Sequence, residues 1–113
     1  MATITTVELR ERVAEKTRIA GVDVELDAER AAIIDRHIGD CTAELRERGL
    51  VWWADDAIPR ECAKAMTFIV SASCAVDCGK AGQGYESLDL EGRTILATLK
   101  PSASRATVRA HYF

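Results

Sequence analysis

The sequence predicts an all-α protein: a small antiparallel four-helix bundle followed by an extended C-terminal tail. Apolar residues recur at three- and four-residue steps in successive stretches, as they do in helices with one buried face. Capping residues or a proline stand before these stretches, and a glycine or proline stands after each of them. The last eight residues instead alternate with a period of two, which is typical of an extended segment.

Capping residues mark the first two helices. Thr5 and Glu8 form a capping-box pattern, so a first helix is expected from there to about Ala20. Its apolar positions are sparse, which predicts a peripheral position. Asp27 is a suitable N-cap for a second helix that continues through Arg48. The second helix is the clearest amphipathic one, with apolar positions at Ala31, Ile34, Ile38, Cys41 and Leu45.

The third and fourth helices follow a short extended stretch. Pro59 suits the first turn of a third helix to about Cys78, which is apolar almost all round and is predicted to be the most buried. Its only polar strip consists of Arg60, Lys64 and Ser71. After the glycine-rich connector 79–84, Ser87 is expected to cap a fourth helix through Leu99. The predicted inner stripe of that helix is Leu88, Ile95 and Leu99.

The composition indicates one globular domain. The chain has 113 residues, 48% of them hydrophobic, and no apolar run approaches the ~20 residues of a membrane span. The 15 basic and 18 acidic side chains are interspersed, so nothing predicts the broad positive surface that binds duplex DNA. No secretory signal pattern is found. The four cysteines are therefore expected to be reduced thiols of a cytosolic protein, and no membrane contact is expected.

Four potential zinc ligands stand on two helices. His37 and Cys41 are one turn apart, as are Cys74 and Cys78. Structural zinc sites, however, usually take closely spaced ligands from knuckle loops, and cysteines within helices are mostly small buried hydrophobic residues. No metal and no other cofactor is therefore predicted.

No catalytic signature is present. A nucleophile needs a base within hydrogen-bond reach, and the chain has two histidines, His37 on a helix flank and His111 in the tail. Ser71 and Ser73 lack the surrounding glycines of a nucleophile elbow, and the connector 79–84 lacks the ending of a phosphate-binding loop. The sequence predicts a protein without enzyme activity.

Two surface features allow both a simple and a functional interpretation. Glu29, Asp40, Glu44 and Glu47 share one flank of the second helix. This flank is either a solvated face, supported by a Glu44–Arg48 pair, or the wall of a DNA channel, where like charge keeps DNA from adhering. Trp52 and Trp53 are adjacent in an extended stretch, so one ring is expected in the core. The other is expected to anchor a neighbouring subunit.

The C-terminal stretch is apolar and aromatic. Val108, Ala110 and Tyr112 share one face of an extended segment, and Thr107, Arg109, His111 and Phe113 share the other. Such a segment either folds back on its own domain or adds a strand to a partner.

The order of these features resembles a known family. A polar first helix precedes a second helix ending in Ala43-Glu-Leu-Arg-Glu-Arg-Gly-Leu-Val-Trp-Trp53. Ala57-Ile-Pro-Arg60 opens a third helix, and Val108-Arg-Ala-His-Tyr-Phe113 closes the chain. Over roughly residues 5 to 113, this pattern is similar to the head-tail adaptor (connector) proteins of long-tailed bacteriophages and related gene transfer agents.

The resemblance implies a structural virion protein. It implies a ring of about twelve copies below the portal, which extends the DNA channel without binding DNA specifically. The expected partners are the portal protein and a tail stopper or tail-completion protein, at the head–tail interface of a virion assembled in the bacterial cytoplasm. Residues 1–105 would form the adaptor domain and 106–113 the docking tail. The implied portal-docking residues are Thr107, Val108, Arg109, Ala110, His111, Tyr112 and Phe113, with the connector 79–84 as either a second contact or a hinge.

The sequence is also compatible with two other classes of protein. A small helical DNA-binding accessory protein would need a basic face, and salt-dependent DNA binding would reveal it. A partner-binding protein of the toxin–antitoxin type would fit the size and the tail, and neighbouring genes would reveal it.

Overall fold

The computed structural model describes residues 2–17, 26–75, 77 and 84–99, and these are mostly helical, so the chain is an all-α protein. The elements in chain order are β1 Thr3–Ile4, α1 Thr6–Lys16, α2 Ala28–Glu47, β2 Ile58–Pro59, a 3₁₀ turn Arg60–Cys62, α3 Ala63–Cys74 and α4 Glu86–Leu99. The predicted C-terminal tail lies outside the described residues. No helix among those described is long and apolar enough to cross a membrane.

The N-terminal boundary of α1 is the predicted one, and within the described residues the helix spans Thr6–Lys16. Thr5 Oγ1 accepts the backbone N–H of Glu8 at 3.1 Å, and the Glu8 carboxylate accepts the Thr5 N–H in return, so the capping box is confirmed. The helix ends at Lys16, with Thr17 as its C-cap. The Thr17 hydroxyl donates to a carbonyl one turn earlier at 2.8 Å, which satisfies this buried end of the helix. The predicted extension to residue 20 lies outside the described residues.

The two ends of α2 follow from local sequence. Asp27 is the N-cap, as predicted, and its carboxylate accepts a backbone N–H three residues on at 2.7 Å. Gly49 takes a left-handed backbone with φ 76°, one residue after the C-cap. The N–H of Leu50 then donates to the carbonyl of Leu45 at 2.9 Å, which is the Schellman arrangement. The helix stops one residue before the predicted Arg48.

A short strand pair that the sequence did not predict joins the N-terminus to the corner between α2 and α3. β1 and β2 are antiparallel with Ile4 opposite Ile58, and both isoleucines are buried. In the same corner Asp56 has φ 67°, and its Oδ1 accepts the backbone N–H of Thr6 at 2.6 Å. Strands of two residues are too short to show any periodicity in the sequence.

α3 is the most buried helix, as predicted, with eight of its 12 residues buried, and it packs against α1, α2 and α4. Two details of the prediction were wrong. Ser71, assigned to a polar strip, is fully buried, because other helices cover α3 on several sides. The helix ends at Cys74 rather than near Cys78, which is not among the described residues.

α4 runs to Leu99 as predicted, but its start differs. The helix begins at Glu86, so Ser87 lies inside the first turn and is not the N-cap. The Ser87 hydroxyl donates to the carbonyl of Gly84 at 3.1 Å, whereas an N-cap side chain would accept a hydrogen bond.

The inner face of α4 centres on Gly92 and Leu96, which are buried, while the three predicted stripe residues Leu88, Ile95 and Leu99 are only half-buried. A Cβ added to Gly92 would lie 2.6 Å from Cγ1 of Ile69 and 2.7 Å from the carbonyl oxygen of Ala65. Glycine therefore allows the close approach of α4 to α3.

Candidate functional site

A polar cluster lies where the C-terminal end of α3 meets α2. His37 Nδ1 is 2.8 Å from Oγ of Ser73, and its Nε2 is 2.7 Å from Oδ2 of Asp77. Arg36 also donates to Asp77 Oδ2, at 3.1 Å. The hydrogen bond from His37 and then the charges of His37 and Arg36 hold the pKa of Asp77 below its ordinary range. The cluster ties residue 77, just beyond α3, to the surface of α2.

The sequence did not predict this cluster. His37 was expected on a helix flank, and its two partners are 36 and 40 residues away along the chain. The available signal was the spacing of Ser73 and Asp77, which are four residues apart and would share one face of a continued helix.

The cluster has the serine, histidine and aspartate of a catalytic triad, but it lacks other parts of such a site. Ser73 stands in the last turn of α3, where helical N–H groups are bonded within the helix and the helix dipole is negative. Neither feature favours the oxyanion that acyl transfer develops. The imidazole of His37 can keep both hydrogen bonds whether neutral or protonated, which suits a tether.

The cysteines lie in the core. Cys41, Cys62 and Cys74 are buried thiols, and burial raises the pKa of Cys62 to about 11. Burial likewise raises the pKa of Cys41. Among the described residues no cluster of His, Cys, Asp and Glu could hold a metal ion, and Cys78 of the considered zinc set is not described.

The acidic flank of α2 divides into two parts. Glu44 accepts hydrogen bonds from Arg93 of α4 at 2.7 Å and from Arg48 at 3.2 Å, so the predicted Glu44–Arg48 pair is confirmed. The hydrogen bond and charge of Arg93 lead the effects that hold the pKa of Glu44 below its ordinary range. Glu29, Asp40 and Glu47 are exposed and have no ion pair within the described residues. Within the part of the chain that the structure describes, these three are the unpaired charges of the flank.

The two tryptophans have different surroundings. Trp53 is 8% exposed and belongs to the core, whereas Trp52 is 36% exposed. Their rings meet edge to face with centroids 4.9 Å apart. Arg46 of α2 fixes the chain here, since its guanidinium donates to the carbonyl of Trp53 at 3.0 Å and to Asp55 at 3.1 Å. Of the two predicted interface residues, Trp52 is therefore the ring that another subunit can reach.

A groove of about 410 Å³ lies between α2 and the segment that follows Trp53. Its floor includes Ile38 and Ile58, and Gly39 contributes open space, since a Cβ there would have no atom within 4 Å. Asp35 stands at the rim and accepts a hydrogen bond from Arg10 at 2.9 Å.

A second pocket, of about 360 Å³, lies between α1 and α3 and is lined by Arg12, Glu15, Lys16, Lys64, Thr67 and Phe68. The ammonium groups of Lys16 and Lys64 stand 5.1 and 5.4 Å from the centroid of the Phe68 ring. We call the surface formed by Arg12, Lys16, Lys64 and Phe68 the basic pocket. In the sequence analysis Lys64 was only part of a polar strip, because the contribution of α1 to the same surface depends on tertiary packing.

The predicted portal-docking residues, 107–113, lie outside the described residues, as does the connector except Gly84, which has φ 82°. The described residues thus define an all-α protein with a polar tether, an acidic helix flank and a basic pocket. No family model, no curated protein and no solved structure matches the chain.

Proposed function

We propose that this chain is the subunit of a head-tail adaptor ring in a long-tailed bacteriophage or gene transfer agent. Its helices form a small antiparallel bundle, and residues 106–113 form an extended tail that docks onto the portal protein. The ring joins the portal to a tail stopper or tail-completion protein, extends the DNA channel and has no enzyme activity.

The observation that carries this proposal is the structure of the corner between α2 and α3. The two internal segments on which the family resemblance rests, 43–53 and 57–60, meet here. Arg46 holds the carbonyl of Trp53, β2 pairs with β1, and Asp56 accepts the N–H of Thr6. The resemblance therefore involves residues that build one fixed corner of the fold and present Trp52 on its surface. A corner held by these hydrogen bonds, with an exposed aromatic residue, is suited to a subunit contact.

The distribution of charge gives further support. Glu29, Asp40 and Glu47 face away from the core of the subunit and are uncompensated within the described part of the chain. Such a row suits either of two environments in a ring, the wall of a DNA channel or a basic surface of the neighbouring copy.

The test is deletion of residues 106–113 in the virus or transfer agent that encodes the chain. Particles with the truncated protein should package DNA but fail to retain it or to acquire tails, as seen by electron microscopy and nuclease protection. Leu90→Ser is a suitable control, because it changes an apolar side chain outside the tail that is 71% exposed on α4. Normal infectious particles from the truncated protein would refute tail docking. Neighbouring genes for portal, capsid and tail proteins would support the proposal independently.

The polar cluster favours a second candidate function, a hydrolase with Ser73 as nucleophile and His37 as base. We rank it lower because Ser73 stands at the negative end of α3. A fluorophosphonate probe tests it directly: labelling of the wild-type protein that disappears in Ser73→Ala but persists in Ser87→Ala would favour the hydrolase over the adaptor.

A further inference from the structure

We infer that the basic pocket of one copy receives an exposed carboxylate from the outer side of α2 of a second copy of this chain. The inference rests on the proposed ring, and it adds which two surfaces of the subunit meet. It assigns the outer carboxylates of α2 to the contact between subunits rather than to the channel wall.

The basic pocket is positive, and two of its three cations contact the same aromatic ring. Lys16 of α1 and Lys64 of α3 stand on the same Phe68 ring, at 5.1 and 5.4 Å from its centroid. Contact with an aromatic ring positions an ammonium group but leaves its full charge. Within the described residues, neither lysine nor Arg12 has an ion pair, although Glu15 also lines the pocket. Three cations around an aromatic ring can bind a carboxylate, and the ring can contact the aliphatic part of the same acidic side chain.

The matching surface is the outer flank of α2, which we define as Glu29, Asp40 and Glu47. With about 100° per residue, these positions fall within about 20° of one line along the helix. Arginines near this flank are already paired: Arg36 with Asp77 and Arg48 with Glu44. Within the described residues the three carboxylates of this flank therefore have no ion pair, and Arg36, which stands on the same line of the helix, is paired with Asp77.

The two surfaces lie on different sides of the subunit. Glu29 and Glu47 are each nine residues from Ile38, which is buried, so they point about 180° away from the core side of α2. Lys64 is nine residues before Ser73, whose hydroxyl meets His37 of α2. Lys64 thus stands about 180° away from the side of α3 that faces α2.

The identity of the two surfaces bears on the kind of assembly. Each contact joins two different surfaces, the basic pocket of one copy and the outer flank of another. The contact is therefore head-to-tail, and a head-to-tail contact generates a ring when its rotation closes. An isologous dimer would instead require a single self-complementary surface.

The experiment is a charge swap measured by sedimentation at up to millimolar protein and low salt. Lys16→Glu with Lys64→Glu reverses the pocket, and Glu29→Lys with Glu47→Lys reverses the flank. Each pair alone should weaken self-association by roughly tenfold or more. Mixing the two reversed proteins, or combining all four changes in one chain, should restore it. Wild-type association should also weaken as salt is raised.

The matched control is Glu11→Lys with Glu86→Lys, which makes the same charge change at exposed positions outside the flank. Circular dichroism and thermal melting establish that each variant is folded. The inference is overturned if the wild type does not self-associate, if the reversed pairs behave like the control, or if mixing gives no recovery. It is also overturned if pocket reversal abolishes binding to a DNA duplex and leaves self-association unchanged, since the pocket would then bind phosphate.

These outcomes are separate from those of the tail deletion. If the truncated protein gives tailless particles while the charge swap fails, the adaptor proposal stands and the subunit contact lies elsewhere. If the swap succeeds and the deletion has no effect, the chain forms a head-to-tail assembly that does not use its tail for docking.

Discussion

Nδ1 of His37 on α2 lies 2.8 Å from Oγ of Ser73 on α3, and the same ring reaches Asp77 on its other side at 2.7 Å. The imidazole thereby connects two helices and the residue beyond the end of one of them. Its side chain is only 14% exposed, so solvent competes weakly for both hydrogen bonds. We expect this ring to contribute to the stability of the domain.

Replacement of His37 by Ala should lower the free energy of unfolding by about 1 kcal/mol or more, because the tether between α2 and α3 is lost. Urea denaturation followed by circular dichroism measures the change. Asp40→Ala on the same helix is the control, since Asp40 is exposed and has no ion pair within the described residues; its effect should be much smaller. Equal stability of His37→Ala and the wild type would mean that the tether does not form in solution.

The Glu44–Arg93 pair predicts a stability that depends on pH. The pKa of Glu44 is lowered in the folded protein, so the unfolded chain takes up a proton at a higher pH than the folded chain does. The pair therefore adds stability at neutral pH, and this contribution is lost as the pH falls through the folded value. Urea midpoints measured from about pH 6 to about pH 3 should fall less steeply in Glu44→Gln than in the wild type.

The control for this pH dependence is Glu47→Gln. Glu47 is exposed on the same helix and has no ion pair within the described residues. The urea midpoint of Glu47→Gln should therefore fall with pH as steeply as that of the wild type. Identical slopes for Glu44→Gln and Glu47→Gln would contradict the structural role of the Arg93 contact.

Two glycines on different helices should respond oppositely to substitution. A Cβ at position 92 would lie 2.6 Å from Ile69 and 2.7 Å from the Ala65 carbonyl, so Gly92→Ala forces α4 away from α3. We expect a net loss of about 1 kcal/mol or more, despite the better helix propensity of alanine. Gly39→Ala has open space and should be neutral or stabilising by up to about 1 kcal/mol. Thermal denaturation of both variants measures these changes in stability. A stabilised Gly92→Ala protein would mean that α3 and α4 are not in such close contact.

Local chemistry made part of the fold predictable. The caps at Thr5 and Asp27 and the left-handed Gly49 each depend on hydrogen bonds within a few residues, so the sequence alone indicated where α1 and α2 begin and where α2 ends. Apolar content also identified α3 as the central helix. Ser71 was misassigned because a helical wheel does not show how many neighbours will cover a helix.

The candidate sites were harder to predict because they join distant parts of the chain. His37 meets partners 36 and 40 residues away, and the basic pocket needs α1 beside Phe68 of α3. Gly92 has the same difficulty, since its role is visible only once Ile69 is placed against it. No periodicity within one helix encodes such contacts, which follow from how the helices pack together.

The tryptophan pair allows stability and assembly to be separated experimentally. Trp53 is in the core, so Trp53→Ala should lower the free energy of unfolding by about 3 kcal/mol or more through the cavity it leaves. Trp52 is 36% exposed, so removing its ring deletes fewer buried contacts. Trp52→Ala should therefore change the free energy of unfolding by less than about 1 kcal/mol. If Trp52 contacts a neighbouring subunit, however, Trp52→Ala should weaken self-association in sedimentation, because exposed tryptophans are frequent anchors of interfaces. Urea denaturation and sedimentation on the same samples distinguish the two effects. A Trp52→Ala protein that is stable and associates like the wild type would exclude Trp52 from the subunit contact.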